Sequence, residues 1–145
     1  MAEKEMPQTI SFLLAHICKA HRSRAEDTLG EIGLHVGQEK FLWQLWQEDG
    51  LTQSQLAENM CVQPPTVNKM LSRMESSGLV ERRIDPEDNR VSRVYLTEQS
   101  RCMQHQVEET WQQLEAKTVA NLTSDERILL RRLLMQIYEN LTEAK

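Results

Sequence analysis

Apolar residues recur at helical spacing along most of this chain and give way only once, between Leu79 and Leu96, to short extended segments. Ile10, Leu13, Leu14 and Ile17, followed by Ala20 and Ala25, define an amphipathic first helix whose end Gly30 and Gly33 punctuate. Phe41, Leu42, Leu45 and Trp46 form the stripe of a second helix that ends near Asp49-Gly50. Thr52 and Gln55 then stand at the spacing of a capping box, with Leu51 and Leu56 placed as a hydrophobic staple, which predicts a short helix from Gln53 to about Asn59. Pro64 and Pro65 suit the first turn of the next helix, because its leading amides need no intrahelical acceptor. Val67, Met70, Leu71 and Met74 supply its buried stripe, and Gly78 its left-handed stop.

Leu79 to Ile84 and Val91 to Leu96 read as paired strands around a turn-rich tip, Asp85 to Arg90. Thr97 is placed to cap a long helix carrying Met103, Val107, Trp111 and Leu114, with no Pro or Gly inside it. A second capping box, Thr123 with Glu126, opens a final helix marked by Leu130, Leu134, Ile137 and Leu141 and broadened by Leu129 and Leu133. The predicted fold is therefore mainly α with a small β-wing: a winged helix-turn-helix region over 33–97, within a single domain over 1–145. The flanking segments 7–31 and 98–143 carry more apolar surface than the middle unit needs, which predicts that they join two copies into a homodimer.

Composition fits an ordered globular chain of 145 residues, 39% hydrophobic and 27% charged, with only five Gly and four Pro. The net charge of -5 gives no general attraction to polyanions, so any nucleic-acid surface must be local. Residues 52–96 carry 6 basic and 6 acidic side chains, against 5 and 8 before them and 6 and 8 after them. The middle is thus the relatively electropositive third. No stretch approaches a membrane span, and Met1 to Met6 lead into polar sequence without an export segment. Together with three widely spaced cysteines, Cys18, Cys61 and Cys102, this predicts a reducing, cytoplasmic setting and no membrane partner.

A capped helix, a proline-started second helix and a charged hairpin together point to double-stranded DNA. The helix over 64–77 has the dimensions to enter a major groove, and Gln63, Thr66, Asn68 and Lys69 carry donors for base edges. Lys69 and Arg73 also suit phosphates. Backbone amides around Thr52, Gln53 and Ser54, and at the Pro64 end, are placed to orient a phosphate. Arg90, at the hairpin tip with Asn89, suits a narrow minor groove, while Asp88 is an acceptor that would hold the tip in shape; Arg82, Arg83 and Arg93 lie near the wing's base.

The stretch LTQSQLAENMCVQPPTVNKMLSRMESSGLVERRIDPEDNRVSRVYLT resembles the winged helix-turn-helix of MarR-family regulators. QLAENM, PTVNKMLSRMESSGLVER, DPEDNR and the following YLT carry the likeness, and the flanking helices extend it to nearly the whole chain. The resemblance implies that the helix after Gln63 enters the major groove and that Asp88-Asn89-Arg90 matches the family's Asp-x-Arg wing motif, with Arg90 approaching the minor groove. It also implies dimerisation through the terminal helices, a pseudo-palindromic operator and repression relieved by a small aromatic or phenolic effector. Two departures stand out: Gln63 replaces the common Ser or Thr cap, and Asn89 stands where many relatives have Arg.

An effector crevice of the family kind would draw on His16, His21, Trp43, Trp46 and Trp111, although the tryptophans fit ordinary core packing as well. Relatives that sense oxidants make Cys18 and Cys61 redox candidates, but Cys18 departs from the usual position and also suits a buried structural role. His16 and His21, five apart, do not share an ideal helical stripe, so no metal site is expected. No nucleophile-base pair, phosphate loop or dinucleotide fingerprint is apparent, and neither an enzyme nor an organic cofactor is expected. The different-class alternative is a winged-helix protein-interaction module without an operator.

Overall fold

The structure, a computed structural model, describes residues 8–143. Residues 1–7 and 144–145 lie outside it, including Met1 to Met6 and Pro7, the first residue of the expected N-terminal dimerisation segment. In chain order the elements are α1 (Ile10–Glu31), α2 (Gln38–Gln47), β1 (Leu51–Thr52), α3 (Gln53–Met60), α4 (Pro64–Ser76), β2 (Val80–Ile84), β3 (Ser92–Leu96), α5 (Glu98–Arg101), α6 (Gln104–Thr118) and α7 (Ser124–Thr142). They fall into two compact units that divide inside α6, between Trp111 and Gln112.

The first unit has its core where α2, α3 and α4 meet the sheet. Phe41, Leu42, Leu45, Leu56, Val67, Leu71, Met74, Val80 and Val94 are almost wholly buried there. Truncating any one of the leucines to alanine would cost about 2–5 kcal/mol, since a packed interior closes only partly over the space left. The sheet has three strands in the order β1-β3-β2, all antiparallel, with Leu51 opposite Val94 and Arg82 also opposite Val94 from the other side. The expected wing has only two strands. The third, β1, is two residues long and sits directly before the Thr52 cap, so no alternation announces it.

Gly50 makes that junction. Its φ is 77°, and a Cβ there would lie 2.9 Å from the Tyr95 ring, so both the backbone and the close approach call for glycine. The adjoining Asp49 accepts from the Leu96 and Gly50 amides through Oδ1 and from Arg101 through Oδ2, pinning β3 to the end of α2.

The long helix expected after Thr97 is broken. Thr97 and Ser100 form a capping box for the four-residue α5, and α6 begins only at Gln104. The Ser100 carbonyl, which would accept from Gln104 in a continuous helix, instead accepts from the Trp46 indole N–H at 3.1 Å and from Met103 at 3.2 Å. A side chain inserted at a helical acceptor is a recognised cause of such a kink. Neither end of this interaction is visible from local sequence.

In the second unit, α7 begins with the Thr123 and Glu126 capping box and buries no residue within its own chain. Ile128, Leu129, Leu133, Leu134, Met135, Tyr138 and Leu141 are all exposed, on more than one face. Apolar side chains spread around a helix in this way mark a surface for interaction. In α1 only Ala25 and Leu29 are buried, while Ile10 and Ile17 are exposed. Among the described residues, no helix is long and apolar enough to cross a membrane.

Glu39 is a buried carboxylate at the start of α2. One oxygen accepts from the Gly37 amide at 2.8 Å; the other is buried and has no partner among the described residues. Burial pushes this carboxyl above the ordinary 4.5, outweighing the lowering effect of the Glu39 and Gly37 amides and the Lys40 charge. The folded chain thus holds a proton that the unfolded chain releases, so Glu39's contribution is full below pH 4.5 and is lost as pH rises through its folded value. Glu39→Gln should therefore gain stability relative to wild type as pH rises above 4.5 in urea titrations. A difference that stays flat with pH would refute the assignment.

Candidate nucleic-acid interface

The first turn of α3 is set by its cap. Thr52 Oγ1 accepts from the Gln55 amide at 3.0 Å and Gln55 Oε1 accepts from the Thr52 amide at 2.9 Å. Both of these amides are occupied, which leaves Gln53 and Ser54 to offer first-turn donors to a phosphate. The turn into α4 runs through Cys61, whose φ of 53° places a non-glycine residue in the left-handed region.

The expectation of anion-binding amides at the start of α4 fails on elementary grounds. Pro64 and Pro65 have no N–H, and the next two amides, Thr66 and Val67, both donate to the Gln63 carbonyl at 3.0 and 3.1 Å. Gln63 caps the helix through that carbonyl alone. Its side chain makes no capping bond and is exposed, so its amide keeps both donor and acceptor capacity.

Around α4 the buried stripe is Val67, Leu71 and Met74. At about 100° per residue, Pro65 and Lys69 point almost directly away from it. Asn68 and Ser72 flank that outward line on one side, and Thr66 and Arg73 on the other. Thr66, Asn68, Lys69 and Arg73 are all exposed.

The Asn68 flank is tied to the wing by Arg82. Its guanidinium donates to Asn68 Oδ1 at 2.7 Å, Ser72 Oγ at 2.9 Å and Glu75 Oε1 at 3.2 Å, and its own amide donates to Glu75 Oε2 at 3.3 Å.

The wing tip is held by two aspartates. Asp85 accepts from the Glu87 amide and from Arg93 Nε at 2.9 and 2.8 Å, and Arg93 reaches on to the Gly50 carbonyl at 2.9 Å. Asp88 Oδ1 accepts from the Arg90 amide at 3.0 Å and from Arg90 Nε at 3.2 Å, while Oδ2 lies 3.4 Å from Nη2. The Arg90 guanidinium and amide together hold the Asp88 carboxyl below its usual range. Arg90 is nonetheless 91% exposed, pointing into solvent from a braced tip, and Asn89 beside it is exposed. Arg83 is turned elsewhere, bonded to Glu81 at 2.9 Å and stacked 4.6 Å over the Tyr95 ring.

These elements enclose a groove of about 610 Å³ lined by Thr52, Gln53, Ser54, Pro64, Pro65, Asn68, Arg90, Val91 and Ser92. The start of α3, the start of α4 and the wing tip thus meet at one surface. Gln63, Thr66, Lys69, Arg73 and Asn89 are not on its walls. Pro65, Val91, Ser92 and the Arg82 brace were missed in the sequence. For Arg82 a signal existed: strand alternation puts it on the face of Val80, which looks toward α4.

A second groove, of about 1190 Å³, lies along α1, the α1–α2 turn and the later part of α4, with Arg22, Glu26, His35, Gln38, Ser72 and Arg73 among its walls. The five residues expected at an effector crevice line neither groove. His16 packs on Phe12 at 4.2 Å and His21 lies 6.1 Å from Trp111. Trp43 is exposed, and Trp46 spends its indole donor on Ser100. Cys18, Cys61 and Cys102 are free thiols, all exposed within the single chain. Among the described residues no group of three His, Cys, Asp or Glu side chains gathers as a metal site would require.

The sequence model of the MarR family matches residues 34–92, which contain the whole of the 610 Å³ groove at the wing tip. YdgJ of Bacillus subtilis, an uncharacterized HTH-type transcriptional regulator, is 30% identical over 109 residues, covering 75% of this chain and 66% of its own length. IacR of Pseudomonas putida, an HTH-type transcriptional repressor, is 27% identical over 130 residues, covering 90% of this chain and 78% of its own. A mutant MarR from E. coli, solved in complex with operator DNA, superposes with a TM-score of 0.79 at 26% identity, over 88% of this chain and 92% of that one. In its sequence and in its three-stranded wing alike, this chain belongs to the MarR family of winged helix-turn-helix transcriptional regulators.

Proposed function

We propose that the protein is a homodimeric repressor that binds a pseudo-palindromic operator in double-stranded DNA and is released by a small aromatic or phenolic ligand. The observation that carries the DNA reading is the 610 Å³ groove, which unites α3 amides, the Asn68 flank of α4 and the exposed Arg90. In this reading α4 occupies the major groove with Lys69 outermost and Gln63, Thr66 and Asn68 beside it, Gln53 and Ser54 hold a phosphate, and Arg90 enters the adjacent minor groove. Asp88 keeps the tip in shape, and Arg73 reaches the backbone from the opposite flank.

The apolar surfaces of α7 and α1 support pairing with a second copy. Two copies would set half-sites roughly 34–36 Å apart, one turn of the duplex. The effector part of the reading rests on the second groove, a cleft of about 1190 Å³ that Arg73 lines from α4, while Arg22 across it is bonded to Glu26 at 3.3 Å. Because Arg73 belongs to α4, a ligand there would act on the recognition helix.

The test is fluorescence anisotropy with duplexes from the region upstream of the protein's own gene, at two salt concentrations, against an unrelated duplex. Selective binding that weakens with salt, by a slope of about 0.9 per phosphate contacted, is the expected result. Salt-insensitive binding to a protein partner with no preference among duplexes would favour the interaction-module reading instead.

A further inference from the structure

The geometry points to Arg82 as a specificity-positioning residue that never touches DNA: by capturing the Asn68 carbonyl, it makes Asn68 a donor-only reader of the base edge. This rests on the DNA reading above. A guanidinium has donors and no acceptor, so the Asn68 side chain must turn its oxygen toward Arg82 at 2.7 Å. The Nδ2 group is then directed away from Arg82, and among the described residues it has no partner. Ser72 and Glu75 take the remaining Arg82 donors at 2.9 and 3.2 Å, and the side chain is only 19% exposed, so the brace is fixed on three points along α4.

The consequence concerns which base Asn68 reads. An asparagine free at both ends pairs with adenine, donating to N7 while accepting from N6. With Oδ1 turned to Arg82 at 2.7 Å, Asn68 cannot also lay its oxygen and Nδ2 side by side along an adenine edge, and the group left to face a base is the Nδ2 donor. Guanine, adenine and thymine all present a major-groove acceptor, and cytosine presents only its N4 donor. The braced Asn68 should therefore reject cytosine at one position in each half-site without choosing adenine over guanine. Once the brace is cut, the oxygen is free and the choice should move to adenine.

The experiment is selection of duplexes from a randomised pool by the full-length protein, followed by binding of the enriched duplex and its single-position variants at several salt concentrations. For wild type, cytosine at the Asn68 position should weaken binding roughly threefold to tenfold, the worth of one hydrogen bond. Arg82→Met should shift that position toward adenine and leave the salt slope unchanged. Asn68→Ala, on an exposed residue, and Asn68→Asp, which keeps the Arg82 bond but loses the donor, should both remove the discrimination against cytosine. They keep the test open even if Arg82→Met folds poorly by circular dichroism. Uniform weakening by Arg82→Met on every duplex, with the slope reduced by about one per subunit, would make Arg82 a phosphate contact and overturn the assignment. An adenine preference already present in wild type would overturn it as well. A pool that wild type does not enrich would instead remove the DNA reading, and this assignment with it.

Discussion

Replacing Leu134 and Leu141 together with glutamate should leave the protein folded, monomeric and unable to hold its operator. Both side chains are exposed in the single chain and lie seven residues apart on one stripe of α7, so the substitution removes little that the chain packs for itself. What it adds is two carboxylates at the surface where a second copy would sit, and burying an unpaired charge there costs several kcal/mol. Light scattering should show half the wild-type mass, with the far-UV spectrum retained. Losing the second reading head removes the intramolecular advantage of the paired half-sites, an expected loss of roughly 10²–10⁴ in affinity. A variant that remains dimeric would move the interface away from α7, and a monomer with full affinity would end the dimer reading of the operator.

Arg90→Ala should produce the other large effect, and its signature is a split between stability and binding. The Asp88–Arg90 pair is a solvent-screened surface salt bridge that adds little to the fold, so the melting temperature should hardly move. At the operator each guanidinium would lose charge-assisted hydrogen bonds worth about 1.5–3 kcal/mol, or roughly 10²–10⁴ in affinity over two subunits. Arg90→Lys should recover part of this and most of the salt dependence, since it restores the charge and not the planar fork. Unchanged binding by Arg90→Ala at moderate salt would take the wing tip out of the interface.

How far the sequence foretells this molecule depends on the range of the interactions that shape each part. The α3 and α7 starts were legible because Thr52 with Gln55, and Thr123 with Glu126, are complete local devices. The proline pair fixed the start of α4 as well, and the same prolines should have ruled out an amide cradle there, since their nitrogens carry no hydrogen. The break between α5 and α6 was not legible, because the residue responsible, Trp46, is 54 positions from the carbonyl it occupies. Strand β1 was hidden by its two-residue length. Among the candidate contacts, chain position alone could not show that Asn68 and Arg90 share a groove while Lys69, one residue on from Asn68, points outward from α4. That depends on how the wing is rolled against α4, which the Arg82 brace and the β1–β3 pairing set.

The pairing of β3 with both β1 and β2 has a mechanical consequence. A hairpin attached only at its base could flap, but here the returning strand is laced to the residues that begin α3, and the departing strand is riveted to α4 through Arg82. Wing tip and recognition helix are jaws of a caliper locked at one opening. If two copies read DNA as proposed above, the step from major to minor groove is a fixed dimension of each, and a releasing signal would alter the distance between the two and not the grip of either.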